Sequence, residues 1–332
     1  MEYNVYIGLG SNVGEREKTI RAAFEAIKTT PHIRLVVVSS FYETSPWGNT
    51  DQPPFVNAAA KIKTSLPPDK LLSKLNDIED KFGRERLEHW GKRTLDIDIL
   101  HIEGVVCDTE RLKLPHPYML KRKFVLVPLD EIAATLKIGR RNIRQYLLAC
   151  PDTGQVHKII GSPRDFSMSI IACVDANWGI GKENRLLFDL PEDMALFRER
   201  TVGSIVVMGR KTMESLPGKK PLKSRYNLVL SRTLKSGNGF LFAEDIDGAL
   251  KKIAQKRGAR VFVIGGEEIF HEFMPYVGDA YITKVDAVTA ADTFLPDLEE
   301  YDFVVETAEN HVGRGGLQYE SLYYKKQGGQ SL

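Results

Sequence analysis

Residues Ile160-Gly161-Ser162-Pro163-Arg164-Asp165-Phe166-Ser167 break a chain that otherwise alternates apolar runs with turn residues. Gly, Pro and charge cluster there, as they do in a linker. A fresh strand pattern follows at once, Met168-Ser169-Ile170-Ile171-Ala172-Cys173-Val174. At about 150 residues per domain, 332 residues hold two domains, and this break places their boundary. The expected organisation is a first domain over 1–160, a linker over 161–167, a second domain over 168–326, and a frayed polar tail over 327–332. No internal repeat relates the two halves.

The halves read differently. In the first, strands are expected at Val5–Leu9, Leu35–Tyr42, Phe55–Ile62 and Thr94–His101. Helices are expected at Glu15–Thr29 and from Pro67-Pro68 to Lys81, with two short helical pieces in Phe124–Tyr146. Some connections are long and Pro-rich, which suggests an α+β sandwich on a mainly antiparallel sheet. In the second half, strands at Met168–Val174, Ser204–Met208, Tyr226–Ser231, Arg260–Ile264 and Ala280–Lys284 alternate with helices at Pro191–Thr201 and Asp245–Lys256. That alternation predicts an α/β domain with a mostly parallel sheet.

Composition removes several functions. No run approaches the roughly 18 apolar residues that span a bilayer, and Met1-Glu2-Tyr3-Asn4 lacks the basic start of a signal peptide. Cys107, Cys150 and Cys173 form no Cys-x-x-Cys pair, so reduced thiols in the cytoplasm are expected. Of 46 basic and 44 acidic residues, residues 1–160 carry 24 and 20, a balance of +4. The remainder carries 22 and 24, a balance of −2. Neither half has the one-sided field of a nucleic-acid binder. Small-molecule substrates are expected, with no nucleic acid and no membrane; oligomerisation is left open.

The most informative stretch of the first half is Arg93-Thr94-Leu95-Asp96-Ile97-Asp98-Ile99-Leu100. On a strand, Thr94, Asp96 and Asp98 share one face while Leu95, Ile97 and Ile99 bury the other. Two adjacent carboxylates repel unless a cation lies between them, and hard oxygen ligands suit Mg²⁺ carried with phosphates. In isolation the pair also reads as a solvated acidic face. The basic neighbours Arg84, Arg86, Lys92, Arg93, Lys121, Arg122 and Lys123, with His116, favour a polyphosphate site, since arginine forks bind phosphate oxygens. Thr44-Ser45-Pro46-Trp47-Gly48 and Phe55-Val56-Asn57 add aromatic faces and amide groups for a planar heterocycle, although Phe55 alone reads equally as core. Gly8-Leu9-Gly10-Ser11-Asn12-Val13-Gly14 is a weak dinucleotide-turn look-alike with one residue too many. No Walker A sequence is present.

Gly10-Ser11-Asn12, Phe41-Tyr42-Glu43-Thr44, Asp51-Gln52-Pro53, Phe55-Val56-Asn57-Ala58-Ala59, Gly91-x-Arg93-Thr94-Leu95-Asp96-Ile97-Asp98-Ile99 and Leu114-Pro115-His116-Pro117 resemble 6-hydroxymethyl-7,8-dihydropterin pyrophosphokinase over about residues 3–160. The resemblance implies a ferredoxin-like α+β sandwich that moves a pyrophosphoryl unit from ATP to a pterin hydroxymethyl group and releases AMP. It implies two Mg²⁺ on Asp96 and Asp98, and a pterin ring between Phe55 and Phe124, read by Asn57, Thr44 and Ser45. Trp47 and Trp90 would also meet the ring, with the loop Gly83–Lys92 closing over it. Glu79, Arg84, Arg93, His116 and Arg122 would contact ATP. Arg86 and His89 transfer less securely, because that loop is about one residue shorter than in some relatives.

In the second half, Asp189-Leu190-Pro191-Glu192-Asp193 reads as a helix start, with Asp189 as N-cap and Pro191 in the first turn. Asp193 shares a stripe with Leu190, Met194 and Phe197. A carboxylate there is costly unless paired, although a first-turn acid also suits the helix dipole. Ile264-Gly265-Gly266 follows a strand, where amides can approach a diphosphate. Met208-Gly209-Arg210-Lys211-Thr212 and Leu230-Ser231-Arg232 place cations at two other strand ends, which favours NADP over NAD.

These residues, with Ile171-Ala172, Gly179-Ile180-Gly181-Lys182-Glu183-Asn184 and Arg225-x-Asn227, resemble dihydrofolate reductase over about 168–326. The resemblance implies that Asp193 orients the pterin, backed by Thr283, and that Arg225 pairs with the folate glutamate. Ile171, Met194, Phe197, Leu222 and Ile264 would line the folate pocket. Ala172, Ile180, Gly181, Gly209, Arg210, Lys211, Thr212, Ser231, Arg232, Gly265 and Gly266 would hold NADPH. Phe188, Leu187 and Phe270 depart from the Trp, Pro and Tyr common in bacterial relatives. The combined expectation is a bifunctional folate-biosynthesis enzyme; the alternative is one active domain fused to a degenerate binding or scaffold domain.

Overall fold

A computed structural model describes residues 2–46, 52–83, 94–159, 168–234, 236–237, 239–256 and 258–327. Cα proximity divides the chain into two compact units, Met1–Asp165 and Phe166–Gln327.

In the first unit, β1 (Tyr3–Ser11) leads into α1 (Arg16–Lys28), whose Ile20, Ala23, Phe24 and Ile27 are buried at helical spacing. Next come β2 (Ile33–Val38), β3 (Tyr42–Thr44), β4 (Phe55–Thr64), α2 (Pro68–Lys81) and β5 (Asp96–Ile102). The hairpin β6 (Cys107–Asp108) and β7 (Lys113–Leu114) precedes α3 (Lys123–Ala133). The turn β8 (Lys137–Ile138) and β9 (Arg141–Asn142), α4 (Ile143–Leu148) and β10 (Val156–Lys158) complete the unit. Six strands form one antiparallel sheet, in the order β10-β3-β4-β1-β5, with β2 also on β4. One face packs Tyr6, Ala59 and Leu100 under Leu126, Leu129 and Ile132 of α3.

The expected single strand Leu35–Tyr42 is two strands. Between them, Ser39 Oγ donates to the Ser40 carbonyl at 2.7 Å and accepts the Ala59 amide at 2.9 Å. Glu131 of α3 accepts both the Ser40 amide (2.6 Å) and the Ser40 hydroxyl (2.8 Å). Side chains take over ladder bonds there, and the ladder stops.

The second unit opens with β11 (Met168–Val174), β12 (Gly179–Lys182), β13 (Arg185–Leu186) and α5 (Pro191–Thr201). It continues through β14 (Ile205–Gly209), α6 (Arg210–Ser215), β15 (Tyr226–Leu230), β16 (Leu241–Ala243), α7 (Ile246–Ala254), β17 (Val261–Val263) and α8 (Glu267–Phe273). It ends with β18 (Asp279–Val285), β19 (Thr293–Phe294) and the long hairpin β20 (Phe303–Val312) and β21 (Gln318–Lys326). The main sheet runs β16-β15-β14-β17-β11-β18-β21-β20. Its first six strands are parallel, and β21 and β20 extend it antiparallel. Strand–helix alternation in the sequence captures the parallel part. The closing hairpin lacks that signature because nearly all of β20 is exposed and carries little apolar pattern.

Asp189 does not cap α5. The N-cap is Leu190, in extended backbone, with no side-chain cap bond. Pro191 at the first helical position has no N–H to satisfy, so less is required of a cap. The expected apolar stripe is also uneven: Leu190 is buried, whereas Met194 is 44% exposed.

Candidate functional sites

In the first unit, strand register places the two acids. Asp96 lies opposite Gly10 and Asp98 opposite Gly8 on β1, and Gly10 lies opposite Asn57 on β4. Side chains directly opposite one another share a face, so the acids border a stretch of sheet with no side chain on the next strand. A Cβ at Gly10 would stand 2.9 Å from Asn57 Oδ1. Asn57 is buried and donates to Thr44 Oγ1 at 2.7 Å. Phe55, at the start of the same strand, is half-buried.

His116 and Arg122 reach this region from the connection between β7 and α3. The His116 amide donates to the Leu100 carbonyl at 2.8 Å, fastening it beside β5. The Arg122 guanidinium lies 4.9 Å from the Tyr118 ring centre and 5.6 Å from that of Phe124. Burial holds the His116 imidazole below its usual range, Arg122 adds to that, and Asp96 pulls the other way. Histidine, arginine and carboxylate therefore share one electrostatic environment. Ser45 is held to the Gln155 segment, its amide donating to the Gln155 carbonyl at 3.2 Å and its hydroxyl accepting the Gln155 amide at 3.2 Å.

Glu79 sits differently from an exposed ATP contact. It is 1% exposed on α2 and accepts the Ile97 amide at 2.8 Å. It thus satisfies a backbone donor of the edge strand between the two acids. Trp47, Arg84, Trp90 and Arg93 lie outside the described residues, as do Arg86, His89 and the linker 161–167.

In the second unit, Asp193 occupies the first turn of α5 and accepts from Thr283 Oγ1 on β18 at 2.6 Å. Burial pushes its carboxyl above the usual range, and the Thr283 bond only partly offsets this. Cys173 lies opposite Thr283 in the parallel ladder. Burial and then the Asp193 charge push its thiol far up, so it stays protonated. Ile171, Phe197, Leu222, Ile264 and Tyr281 meet in one apolar cluster.

Arg225 donates through Nε to Thr201 Oγ1 (2.7 Å), through one terminal nitrogen to the Lys223 carbonyl (2.7 Å), and through the other to the Arg198 carbonyl (3.1 Å). These bonds use three of the five guanidinium N–H groups and hold the fork, leaving two for a carboxylate. Asn227, 2% exposed, pins the segment carrying Leu222 and Arg225: it accepts the Leu222 amide at 2.9 Å and donates to the Leu222 and Arg225 carbonyls.

The expected dinucleotide residues gather at the carboxyl ends of three neighbouring parallel strands. Gly209 ends β14, Ser231 follows β15, and Gly265-Gly266 follows β17. The Gly209 amide donates to the Gly265 carbonyl at 2.8 Å. Gly265 has φ of +111°, and a Cβ there would stand 3.1 Å from the buried Phe270 ring, so only glycine fits. Thr212 Oγ1 lies 3.5 Å from the point a Gly266 Cβ would occupy. Arg210 and Lys211 are exposed in α6, with Arg210 paired to Glu214 at 2.7 Å. Arg232 is exposed and lies 3.5 Å from Glu268. Ala172 is half-buried on β11, as is Ile180 on β12 beside the buried Gly181.

Sequence reading passed over Asp175. It is fully buried after β11 and accepts amides from Asn177 (2.9 Å), Gly179 (2.8 Å) and Thr289 (2.9 Å), plus the Thr289 hydroxyl (2.7 Å). Burial raises its carboxyl, but the four bonds outweigh that and leave it below the usual range. It shapes the turn that delivers Ile180 and Gly181. The signal was present in Asp175-Ala176-Asn177-Trp178-Gly179, an Asx-turn composition directly after a strand.

The chain holds two domains, each with its own sheet and its own cluster of polar and charged residues. A family model described as 7,8-dihydro-6-hydroxymethylpterin-pyrophosphokinase matches residues 6–134, and one described as dihydrofolate reductase matches residues 167–326. Among curated relatives is a 2-amino-4-hydroxy-6-hydroxymethyldihydropteridine pyrophosphokinase of Methylorubrum extorquens, 46% identical over 149 residues, 45% of this chain and 94% of the relative. Relatives of the same name from Haemophilus influenzae (48% identical; 42% of this chain, 86% of the relative) and Pseudomonas aeruginosa (44%; 46% and 96%) match as well. The chain belongs to the 7,8-dihydro-6-hydroxymethylpterin-pyrophosphokinase family and joins that domain to a dihydrofolate reductase domain. It is a bifunctional enzyme of folate biosynthesis, a diphosphokinase and a reductase in one polypeptide.

Proposed function

We propose that residues 1–160 transfer pyrophosphate from ATP to 6-hydroxymethyl-7,8-dihydropterin, releasing AMP. Residues 168–326 reduce 7,8-dihydrofolate to tetrahydrofolate with NADPH. The finer folds that go with this are a ferredoxin-like sandwich and a dihydrofolate-reductase-like sheet. The observation carrying the proposal is the contrast between the carboxylates: Asp96 and Asp98, both half-buried, pair along an edge strand with glycines across the ladder, whereas Asp193, also half-buried, accepts from Thr283 in the first turn of α5.

The open pair fits two Mg²⁺ brought in with ATP. All donors are oxygens, and Gly8 and Gly10 across the ladder put no side chain of β1 between the acids and an incoming ion. Bound there, the ions would neutralise charge on the phosphates. Asp96 and Asp98 hold them, and Arg122 and His116, with Arg84 and Arg93, bind phosphate oxygens. Phe55, Phe124, Trp47 and Trp90 enclose the pterin ring, and Asn57, Thr44 and Ser45 read its polar edge. Glu79 supports the site by holding the strand between the acids. The nucleophile is the pterin hydroxyl, and enclosure keeps water from taking its place.

In the second unit, Asp193 accepts hydrogen bonds from the pterin amino group and the adjacent ring nitrogen, which fixes the ring for reduction. Ile171, Met194, Phe197, Leu222 and Ile264 flank it, and the two remaining Arg225 N–H groups take the folate glutamate. NADPH supplies the hydride; Gly265 and Gly266, without side chains, would let backbone amides approach its diphosphate. Ala172, Ile180, Gly181, Gly209, Arg210, Lys211, Thr212, Ser231 and Arg232 complete that cleft. The setting proposed for the three free cysteines is the cytoplasm; among the described residues no helix is long and apolar enough to cross a membrane. The test supplies hydroxymethyldihydropterin with ATP and, separately, dihydrofolate with NADPH. AMP formation and NADPH loss are both expected; absence of either removes that half of the proposal.

A further inference from the structure

Beneath Asp193, three neighbouring strands present X–H groups side by side. Cys173 on β11 is opposite Thr283 on β18, and Thr283 is opposite Ser321 on β21. Opposed residues point to the same face, so all three lie on the face where Thr283 reaches Asp193. Tyrosines wall the row on β21. Tyr323 lies two residues beyond Ser321 with its ring 4.9 Å from that of Tyr281, and Tyr319 lies two residues before it, stacked 5.0 Å from His311. Ser321 Oγ is buried in that slot with no hydrogen-bond partner. A buried hydroxyl without a partner is costly, and the polar group directly across the ladder is the Thr283 hydroxyl.

We propose that Ser321 is a positioning residue for the reductase site: its hydroxyl donates to Thr283 Oγ1 and so commits the single Thr283 proton to Asp193. A threonine hydroxyl has one proton and two acceptor lone pairs. Thr283 donates to Asp193 Oδ1 at 2.6 Å, which leaves its oxygen free to accept. Cβ atoms directly opposite in an antiparallel pair lie about 4.5–5.5 Å apart, so a serine rotamer change spans the gap. Once Ser321 donates to it, the Thr283 proton has one direction left. The carboxylate form of Asp193 is then stabilised in a pocket that otherwise disfavours it. The other titratable groups beside Asp193 are the Cys173 thiol, the Tyr319 phenol and the neighbouring Glu192 carboxylate; Cys173, also opposite Thr283, offers only a weak thiol donor and acceptor beside the stronger Ser321 hydroxyl. The inference rests on reading Asp193 as the acid that holds the pterin ring.

The test uses the full chain with Ser321→Ala, Ser321→Thr, Thr283→Val and the Ser321→Ala/Thr283→Val pair. The Asp193 carboxyl carbon is titrated by NMR, assigned with Asp193→Asn, and the pH profile of kcat/KM for NADPH-dependent reduction is recorded alongside. Ser321→Ala is expected to raise the Asp193 midpoint by roughly half a unit, about one ordinary hydrogen bond's worth, and to move the kcat/KM profile with it. Ser321→Thr keeps the wild-type midpoint. In the Thr283→Val background, Ser321→Ala adds no further shift. The proposal is overturned if Ser321→Ala leaves the midpoint in place, or if its shift survives in the Thr283→Val background, since Ser321 would then act without Thr283. Should Ser321→Ala not fold, Ser321→Cys, a weaker donor of similar size, replaces it with the same expected direction. If wild-type protein oxidises no NADPH with dihydrofolate, the reductase reading fails, while the midpoint comparison still decides the hydroxyl chain.

Discussion

The acids of the two units are placed by opposite means. Asp96 and Asp98 stand two residues apart on an edge strand, with glycines across the ladder. Asp193 stands in a helix first turn beside the exposed Glu192, desolvated enough to raise its carboxyl, with one hydroxyl in support. A pair of adjacent carboxylates suits a ligand that carries its own cations and high negative charge. A single desolvated carboxylate suits an uncharged ring with matching donors, because low dielectric makes each of its hydrogen bonds count for more. On the proposed reading the same residue type serves two chemistries, and the surroundings decide which.

The largest expected effect breaks the open site. Asp96→Ala with Asp98→Ala should lower AMP formation by about a thousandfold or more, the scale of removing the groups that hold a catalytic metal. Dihydrofolate reduction should remain within about twofold, since uninvolved surface changes are usually small. Asp193→Asn should lower kcat/KM for dihydrofolate by about 10²- to 10³-fold, within the usual range for a positioned acid. Arg225→Lys removes the fork but keeps the charge. A charged hydrogen bond contributes about 1.5–3 kcal/mol, so KM for dihydrofolate should rise roughly 10- to 100-fold with kcat changed far less.

The smallest prediction concerns stability. Asp193 has a folded-state pKa above its unfolded value, so the folded state binds the proton more readily. Stability therefore falls as pH rises from the unfolded carboxyl range of about 3.9 through the raised folded value. Asp193→Asn should unfold a few degrees above wild type at neutral pH, and the advantage should vanish below about pH 4. A wild-type advantage at neutral pH would mean that burial of Asp193 is fully offset by its partners.

Sequence made the two sites legible to different degrees. The Asp96–Asp98 alternation follows from local period, and the Asp193, Arg225 and Gly265-Gly266 set from motifs; the structure puts Asp96 and Asp98 on one strand, Asp193 in a helix first turn against Thr283, and Gly265-Gly266 at the end of a parallel strand. What stayed hidden depends on register between distant strands. Gly8 and Gly10 gain meaning only once they lie opposite Asp98 and Asp96. Glu79 resembles a ligand contact in sequence, yet its carboxylate holds the Ile97 amide. Asn227 and Ser321 are small polar residues in apolar strands, and no periodicity says which face or partner they meet. The edge strand β20 escaped because an exposed edge carries little hydrophobic pattern.

On the proposed function, one chain holds two active sites that work independently. AMP formation and NADPH loss are assayed in parallel on wild type, on Asp96→Ala/Asp98→Ala and on Asp193→Asn, each confirmed as folded. Wild type is expected to show both activities, and each variant to lose one while keeping the other within about twofold. A folded variant in which either change abolishes both activities would contradict it.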